Sequence, residues 1–349
     1  MSAVESKPKR LKNVEKRVSL KDIARACSLS VMTVSRALNN AYGIHPKTRE
    51  RVLQVAREMG YVPNRLASNL VQRKTMTIGV VIPDVDHSIF PALLAGLEQV
   101  LSAEDYHLFL CCSYDRPDKE FREVMALVER RVDGILLAPS SVKDSRQIVE
   151  RVQELHCPLV LVDRLIPGVT VDSVSVDDYR GAQAAVSHLI ARGYRRIAHI
   201  AGPQSIWTAR ERHRGYQAAL KKAGIAPVAE YVVTSGLTVA GGENAMEQIL
   251  SLPNRPDAVF CVNDPAALGA IKALGRAGLT IPGDMALVGF SNVLETELLA
   301  VPLTTVTQDA GRLGREAATL LLQRLRDNEA NCPVSRHVIA TELVVRRSS

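Results

Sequence analysis

LKDIARACSLSVMTVSRAL, residues 20–38, is followed directly by Asn39 and Asn40. Leu20, Ile23, Ala24 and Cys27 recur at helical spacing, and so do Val31, Val34, Ala37 and Leu38. Ser19 precedes the first run with Asp22 three residues on, so a hydroxyl and a carboxylate stand where the orphan amides of a helix start need acceptors. Ser30 holds the same place before the second run. Cys27–Ser30 is too short a link for two antiparallel helices lying side by side, but long enough for a helix-turn-helix corner. With the apolar side inward, Met32, Thr33, Ser35, Arg36 and Asn39 are left outward, on a face able to meet base edges and phosphates in a major groove. Shape alone does not distinguish this from a helix corner that never touches DNA.

Charge does. Residues 1–75 hold 16 Lys and Arg against 5 Asp and Glu, whereas the remaining 274 residues hold 28 against 32. A basic block on a slightly acidic body is the asymmetry expected when one module works against phosphate. At 349 residues the chain is long enough for two or three domains, and 46% hydrophobic residues with a mean hydropathy near zero fit a globular protein with a sizeable core. No apolar run approaches the roughly 20 residues of a membrane span. The opening MSAVESKPKRLKNVEKR has charges but no apolar core, so it reads as a disordered basic arm over 1–17 and not as a secretory signal. Cys27, Cys111, Cys112, Cys157, Cys261 and Cys332 lack CxxC spacing, which predicts reduced, mostly buried thiols, a cytoplasmic protein, and no metal or redox site.

Along the chain, Pro46 suits a first helical position, Val52, Val55, Ala56 and Met59 continue with helical period, and Gly60 suits the stop. In the following YVPNRLASNLVQRKTMT, Asn64–Leu70 is long enough for about two turns, a helix too short to be stable unless something packs on it. From Met76 short apolar runs alternate with amphipathic stretches. TIGVVI, HLFLCC, GILLA and PLVLV are followed by RIAHIA, EYVVT, DAVFCV and MALVGF. Continuous apolar strands separated by helices predict parallel sheets covered on both faces, here as two doubly wound subdomains. Ligands in such folds bind beyond the carboxyl ends of the strands, which points to Asp84–Phe90, Asp163–Arg164, Gly202–Arg212, Asn263–Asp264 and Ser291–Asn292. An enzyme on this fold would need a cofactor loop or catalytic set, and the sequence has no GxGxxG after Ile82, no GxxxxGK[ST], no HExxH and no GxSxG.

SLKDIARACSLSVMTVSRALN and GYVPNRLASNL resemble the lactose/purine repressor family of bacterial transcription regulators, and so do TIGVVIPD, PLVLVDR, HLIARGYRRIAHIAGP, DAVFCVNDPAALGAI and IPGDMALVGFSN. The resemblance runs through residues 18–347 in unbroken order. It implies an all-α helix-turn-helix headpiece (18–62), a hinge helix and linker (63–75), and an α/β core like the periplasmic binding proteins (76–349). That core would consist of two doubly wound parallel-sheet subdomains, one over about 76–177 and 307–333, the other over about 178–306 and 334–349. No cofactor is implied. The expected function is a repressor of a carbohydrate operon, with the alternatives of a corepressor-dependent or architectural DNA-binding protein.

The resemblance assigns Val31, Met32 and Arg36 to base reading, with the Arg36 fork suited to guanine and the other two to apolar base edges. Ser30, Thr33, Ser35 and Asn39 become phosphate contacts or caps, Asn64 a further DNA contact, and Leu70 a wedge pushed into the minor groove. Ser68 stands where the hinge usually carries arginine, and Ser28 where the turn prefers glycine. Phe90, Trp207, Arg212, Asp264 and Ser291 are placed around an effector cleft: aromatic rings for stacking, Arg212 as donor, Asp264 as hydroxyl acceptor. Ser291 replaces a usual aspartate, and with Arg164, Arg210 and Arg212 in the same stretches the pocket is expected to tilt positive. The implied effector is a sugar or sugar derivative, including an acidic one such as a sugar acid or sugar phosphate. Two headpieces of a homodimer would sit on a palindromic operator in double-stranded DNA. The ending HVIATELVV–RRSS carries no leucine heptad for tetramerisation.

Overall fold

The computed structural model describes residues 18–39, 41–61, 74–86, 88–326 and 333–349. Asn64, Ser68 and Leu70, with the basic arm and Cys332, lie outside the described residues. The chain divides into two units, residues 1–73 and 74–349.

In the first unit, α1 (Leu20–Cys27), α2 (Val31–Leu38) and α3 (Pro46–Glu58) follow the periodicity closely. The Ser19 amide donates to the Asp22 carboxylate at 2.9 Å, and His45 Nδ1 accepts from the Lys47 amide at 3.3 Å just before α3. Ser28 closes α1 in the left-handed region at φ 52°, the conformation for which glycine is the easier residue. Ile23, Ala24, Cys27, Val34, Ala37, Val52 and Ala56 make a small closed core.

The second unit begins with β1 (Thr77–Ile82), α4 (Phe90–Ala103), β2 (His107–Cys112), α5 (Pro117–Glu129), β3 (Gly134–Leu137), α6 (Ser145–Glu154), β4 (Leu159–Val162) and β5 (Asp172–Val176). The alternation is repeated by α7 (Asp178–Ala191), β6 (Ile197–Ala201), α8 (Trp207–Lys222), β7 (Val232–Thr234), α9 (Val239–Leu250), β8 (Ala258–Cys261), α10 (Asp264–Arg276) and β9 (Ala286–Val288). The chain then returns through β10 (Thr305–Thr307), α11 (Ala310–Arg326), β11 (Arg336–Ile339) and β12 (Glu342–Val344). One sheet has the order β11-β5-β4-β3-β1-β2 and a second β7-β6-β8-β9, both parallel throughout, while β10 and β12 pair antiparallel. Every residue of β3, β4, β6 and β8 is buried, as expected of apolar strands covered on both faces.

One boundary is corrected. Residues 334–349 do not all belong to the second subdomain, because Arg336–Ile339 runs parallel to β5 in the first sheet, from Arg336 opposite Ser173 to Ile339 opposite Val176. The last crossing therefore lies between β11 and β12. Asp172 explains the attachment: its carboxylate takes the Arg324 guanidinium and the Ser335 amide (2.7 Å), fixing the approach to β11. The strand Asp172–Val176 itself, DSVSV, was not among the expected strands, since its serines break the apolar run although all five residues are buried.

Helices α4 and α11 cover one face of the first sheet and approach each other through glycines. A Cβ at Gly96 would sit 2.2 Å from the Gly311 carbonyl oxygen, so no side chain fits there. Gly96→Val should lower the stability of the core by about 1–3 kcal/mol, as overpacking does. Urea denaturation read on the core transition checks it, with the headpiece transition expected to stay in place.

Candidate functional site

On α2, Val31 and Met32 are 41% and 72% exposed, and Arg36 and Asn39 are also exposed. Ser30 acts as the cap, its Oγ accepting from the Thr33 amide at 3.1 Å and meeting the Thr33 hydroxyl at 2.8 Å. Ser35 and Thr33 are half-buried. The helix thus presents two apolar side chains, one guanidinium and one amide. Arg36 is not a free fork: one Nη2 hydrogen goes to the Tyr42 carbonyl at 2.7 Å, leaving Nε and Nη1 for a base edge.

In the core, loops that follow the carboxyl ends of strands in the two sheets meet. Ser88, after β1, donates from its hydroxyl to Ser291 Oγ, after β9, at 2.9 Å. The Val142 amide, after β3, donates to the Ser205 carbonyl, after β6, at 2.8 Å. The strand-end loops of the two sheets therefore meet directly through these two bonds. Non-glycine residues held at positive φ gather at the same strand ends: Ser88, Asp115, Asp163, Ser291 and Asn292. Backbone strain of this kind collects at ligand clamps.

The expected residues take different parts here. Arg212 is 5% exposed. Its Nε and Nη2 both reach Asp178 Oδ1 at 2.7 Å, its Nη1 donates to the Val262 carbonyl at 2.8 Å, and its guanidinium carbon lies 3.9 Å from the Phe290 ring centroid. Arg164, 2% exposed, is ion-paired with Asp115, bonds the Pro139 carbonyl at 3.3 Å, and stands 3.9 Å from Asp163. Arg210 lies beside Glu211 at 4.0 Å and over the half-buried Trp207 ring at 5.7 Å. Arg212 and Arg164 are thus each paired with a carboxylate, whereas Glu211, beside Arg210, gives its other oxygen to Arg214.

Asp264 is fully buried and is a clamp, which corrects its role as a hydroxyl acceptor for ligand. Oδ1 accepts from the Thr305 hydroxyl at 2.7 Å and Oδ2 from the Val293 amide at 3.0 Å. Gly289 makes room for it, since a Cβ there would lie 2.2 Å from Oδ1. Arg346 holds the same loop from the other side, donating to Asn292 Oδ1 at 2.8 Å and to the Leu303 carbonyl at 2.9 Å. Between the two, Ser291 is carried at φ 135° to the rim. Phe90, 2% exposed, packs with Ile82 and Leu93 in the core under the first sheet, so its ring is not offered for stacking.

The residues that sequence reading passed over are Asp178, Ser140 and Gln308, with Asp163 noted only for its place after a strand. Asp163 Oδ1, Asp178 Oδ2, Arg164 Nε, Ser140 Oγ and both amide atoms of Gln308 are buried without a hydrogen-bond partner. Burial pushes the Asp178 carboxyl up to about 7 against the pull of Arg212, and burial likewise raises Asp163. Arg49 Nε, His199 Nε2, Glu211 Oε1 and His213 Nδ1 are likewise buried without a partner, so such atoms are not confined to the strand ends. Asp178 had one signal, the Asp177–Asp178 pair directly after a strand. Gln308 had none, being a single amide in the crossing between β10 and α11.

Comparison with known proteins agrees in both units. Residues 19–64 match the family model of bacterial regulatory proteins of the lacI family, and residues 75–343 match that of periplasmic binding proteins and the sugar-binding domain of the LacI family. The chain is 33% identical to the HTH-type transcriptional repressor CytR of Escherichia coli K12 over 340 residues, 97% of this chain and 98% of that one. It is 31% identical to the HTH-type transcriptional repressor PurR of Mannheimia succiniciproducens, covering 95% and 98% of the two. Among solved structures it resembles the lac repressor dimer bound to operator and the anti-inducer ONPF, with TM-score 0.86, 26% identity and coverage of 95% and 99%. It also resembles the transcriptional regulator CelR–cellobiose complex, with TM-score 0.72, 31% identity and coverage of 95% and 100%. No described helix is long and apolar enough to cross a membrane. With an exposed helix-turn-helix face and a core whose cleft holds open polar groups, the chain belongs to the LacI family of bacterial transcription regulators, DNA-binding proteins that respond to a small-molecule effector.

Proposed function

We propose that this chain is a cytoplasmic, non-enzymatic repressor of carbohydrate uptake or breakdown genes, switched by a neutral, hydroxyl-rich sugar at the junction of the two sheets. The observation that carries the reading is the pair of buried carboxylate oxygens without a hydrogen-bond partner, Asp163 Oδ1 and Asp178 Oδ2, beside Arg212 and Arg164, each of which is ion-paired with a carboxylate. When ionised, such oxygens accept from hydroxyls and repel a carboxylate or phosphate. Trp207, half-buried at the start of α8 with the Arg210 guanidinium over one face, has its other ring face for a sugar ring.

The switch follows from the crossings near Asp177, Gln308 and Ile339–Glu342 that join the subdomains. A ligand spanning the cleft shifts the population toward the subdomain angle it fits best. By linkage it must then bind the operator complex and the free protein with different affinity. For assembly we propose a homodimer using the first sheet's edge strand β2, where Phe109 and Leu110 are 48% and 39% exposed and Phe121 of α5 is 45% exposed. An apolar open edge of this kind invites a second copy. Phe109→Asp should turn a dimer into a monomer in sedimentation equilibrium.

Isothermal titration against paired neutral and acidic sugars is expected to give heat with a neutral member, weakened at least tenfold by Asp163→Asn. Tight binding confined to the acids would overturn the reading. With burial pushing the Asp178 carboxyl up to about 7, its capacity to accept from a hydroxyl, and with it affinity, should climb from pH 6 to pH 8 and then level off. The sign for stability is opposite. A carboxyl raised from about 3.9 in the unfolded chain favours the fold below that value, and this contribution is lost as pH rises through about 7. Footprinting on a duplex selected from random sequence should show protection that the sugar alters. Arg36→Ala should weaken that specific complex about 10- to 100-fold.

A further inference from the structure

The turn from α2 to α3 presents Tyr42 at 97% exposure, more than any other large apolar or aromatic side chain among the described residues. An aromatic ring left wholly in water on a small domain has no folding role, yet the backbone beneath it is firmly held. The Ala41 amide donates to the Arg36 carbonyl at 2.9 Å, Arg36 Nη2 to the Tyr42 carbonyl at 2.7 Å, and Arg49 Nη2 to the Ala41 carbonyl at 2.9 Å. Gly43 completes the turn at φ 89°, and a Cβ there would lie 3.4 Å from Arg36 Nη2. Two cations thus brace a rigid turn beside the outward face of α2, and from it stands a neutral side chain with a flat ring and an O–H donor. Tyrosine hydroxyls are among the groups that bond phosphate oxygens without reading sequence.

We propose that Tyr42 docks on the sugar–phosphate backbone at the edge of the bound half-site, its phenol donating a hydrogen bond to a phosphate oxygen. The Arg36–Tyr42 carbonyl bond then ties that backbone contact to the guanidinium that reads a base, so the turn sets the register of Arg36 as well as adding affinity. This rests on the DNA-binding assignment of α2 and adds a residue that assignment does not contain.

The test is fluorescence anisotropy on the full chain with a 30-base-pair duplex of mixed sequence, over a series of KCl concentrations, for wild type, Tyr42→Phe and Tyr42→Ala. Tyr42→Phe removes one exposed hydroxyl and nothing that packs, so folding is unaffected. It should bind about three- to tenfold more weakly at every salt concentration. Its slope of log affinity against log salt should equal that of wild type, because a neutral donor releases no counterion. Tyr42→Ala should be weaker again through loss of the ring. Equal binding by Tyr42→Phe and wild type, or an altered salt slope in Tyr42→Phe, overturns the proposal. Failure of the wild type to bind any duplex would instead remove the DNA-binding assignment itself.

Discussion

Arg212 is a permanent cation placed where water cannot reach it, and the cleft is built to make that tolerable. An unpaired charge so deeply buried would cost several kcal/mol. Asp178 therefore stands against it at the start of α7, the Val262 carbonyl at the end of β8 takes a further N–H, and Phe290 lends its π-face. These partners come from three separate strand ends or helix starts of the second subdomain. One guanidinium consequently aligns the loops that form that wall of the cleft. Arg164 does the equivalent in the first subdomain with Asp115 and the Pro139 carbonyl. What remains open beside the two cations is one oxygen each of Asp163 and Asp178 and the Arg164 Nε donor.

Much of this was legible from residue order. Helical periodicity located α1, α2 and α3, and the apolar runs located most of the strands, because in both cases burial is written into side-chain type. DSVSV escaped since its serines break the apolar run, although all five residues are buried. The site was readable in position and misread in electrostatics. Arg164, Arg210 and Arg212 were rightly placed after strand ends, but charge counted along a sequence says nothing of which carboxylate folds against it. Asp264 was misassigned for the same reason, since whether an acceptor faces a ligand or a backbone amide depends on the loop above it.

Fold and function join at the crossings. The chain passes between the subdomains near Asp177, Gln308 and Ile339–Glu342, and Thr341 Oγ1 bonds the Asp177 carbonyl at 3.2 Å, so two of these links touch directly. A change of angle between the sheets has to be absorbed in these few residues. Asp178, the partner of Arg212, follows the first link immediately, so the ion pair that aligns the second subdomain's loops sits next to the pivot.

The loop around Ser291 has a further meaning for how such a sensor changes over time. Its path is held by Asp264 on one side and Arg346 on the other, and neither grip involves the side chain at 291. The backbone angle there, φ 135°, penalises bulky and β-branched residues, so this fixed mount accepts glycine, serine and other small residues most easily. Exchange at 291 also gives up the hydroxyl that meets Ser88, so the side chain and the bond between the two sheets' loops change together.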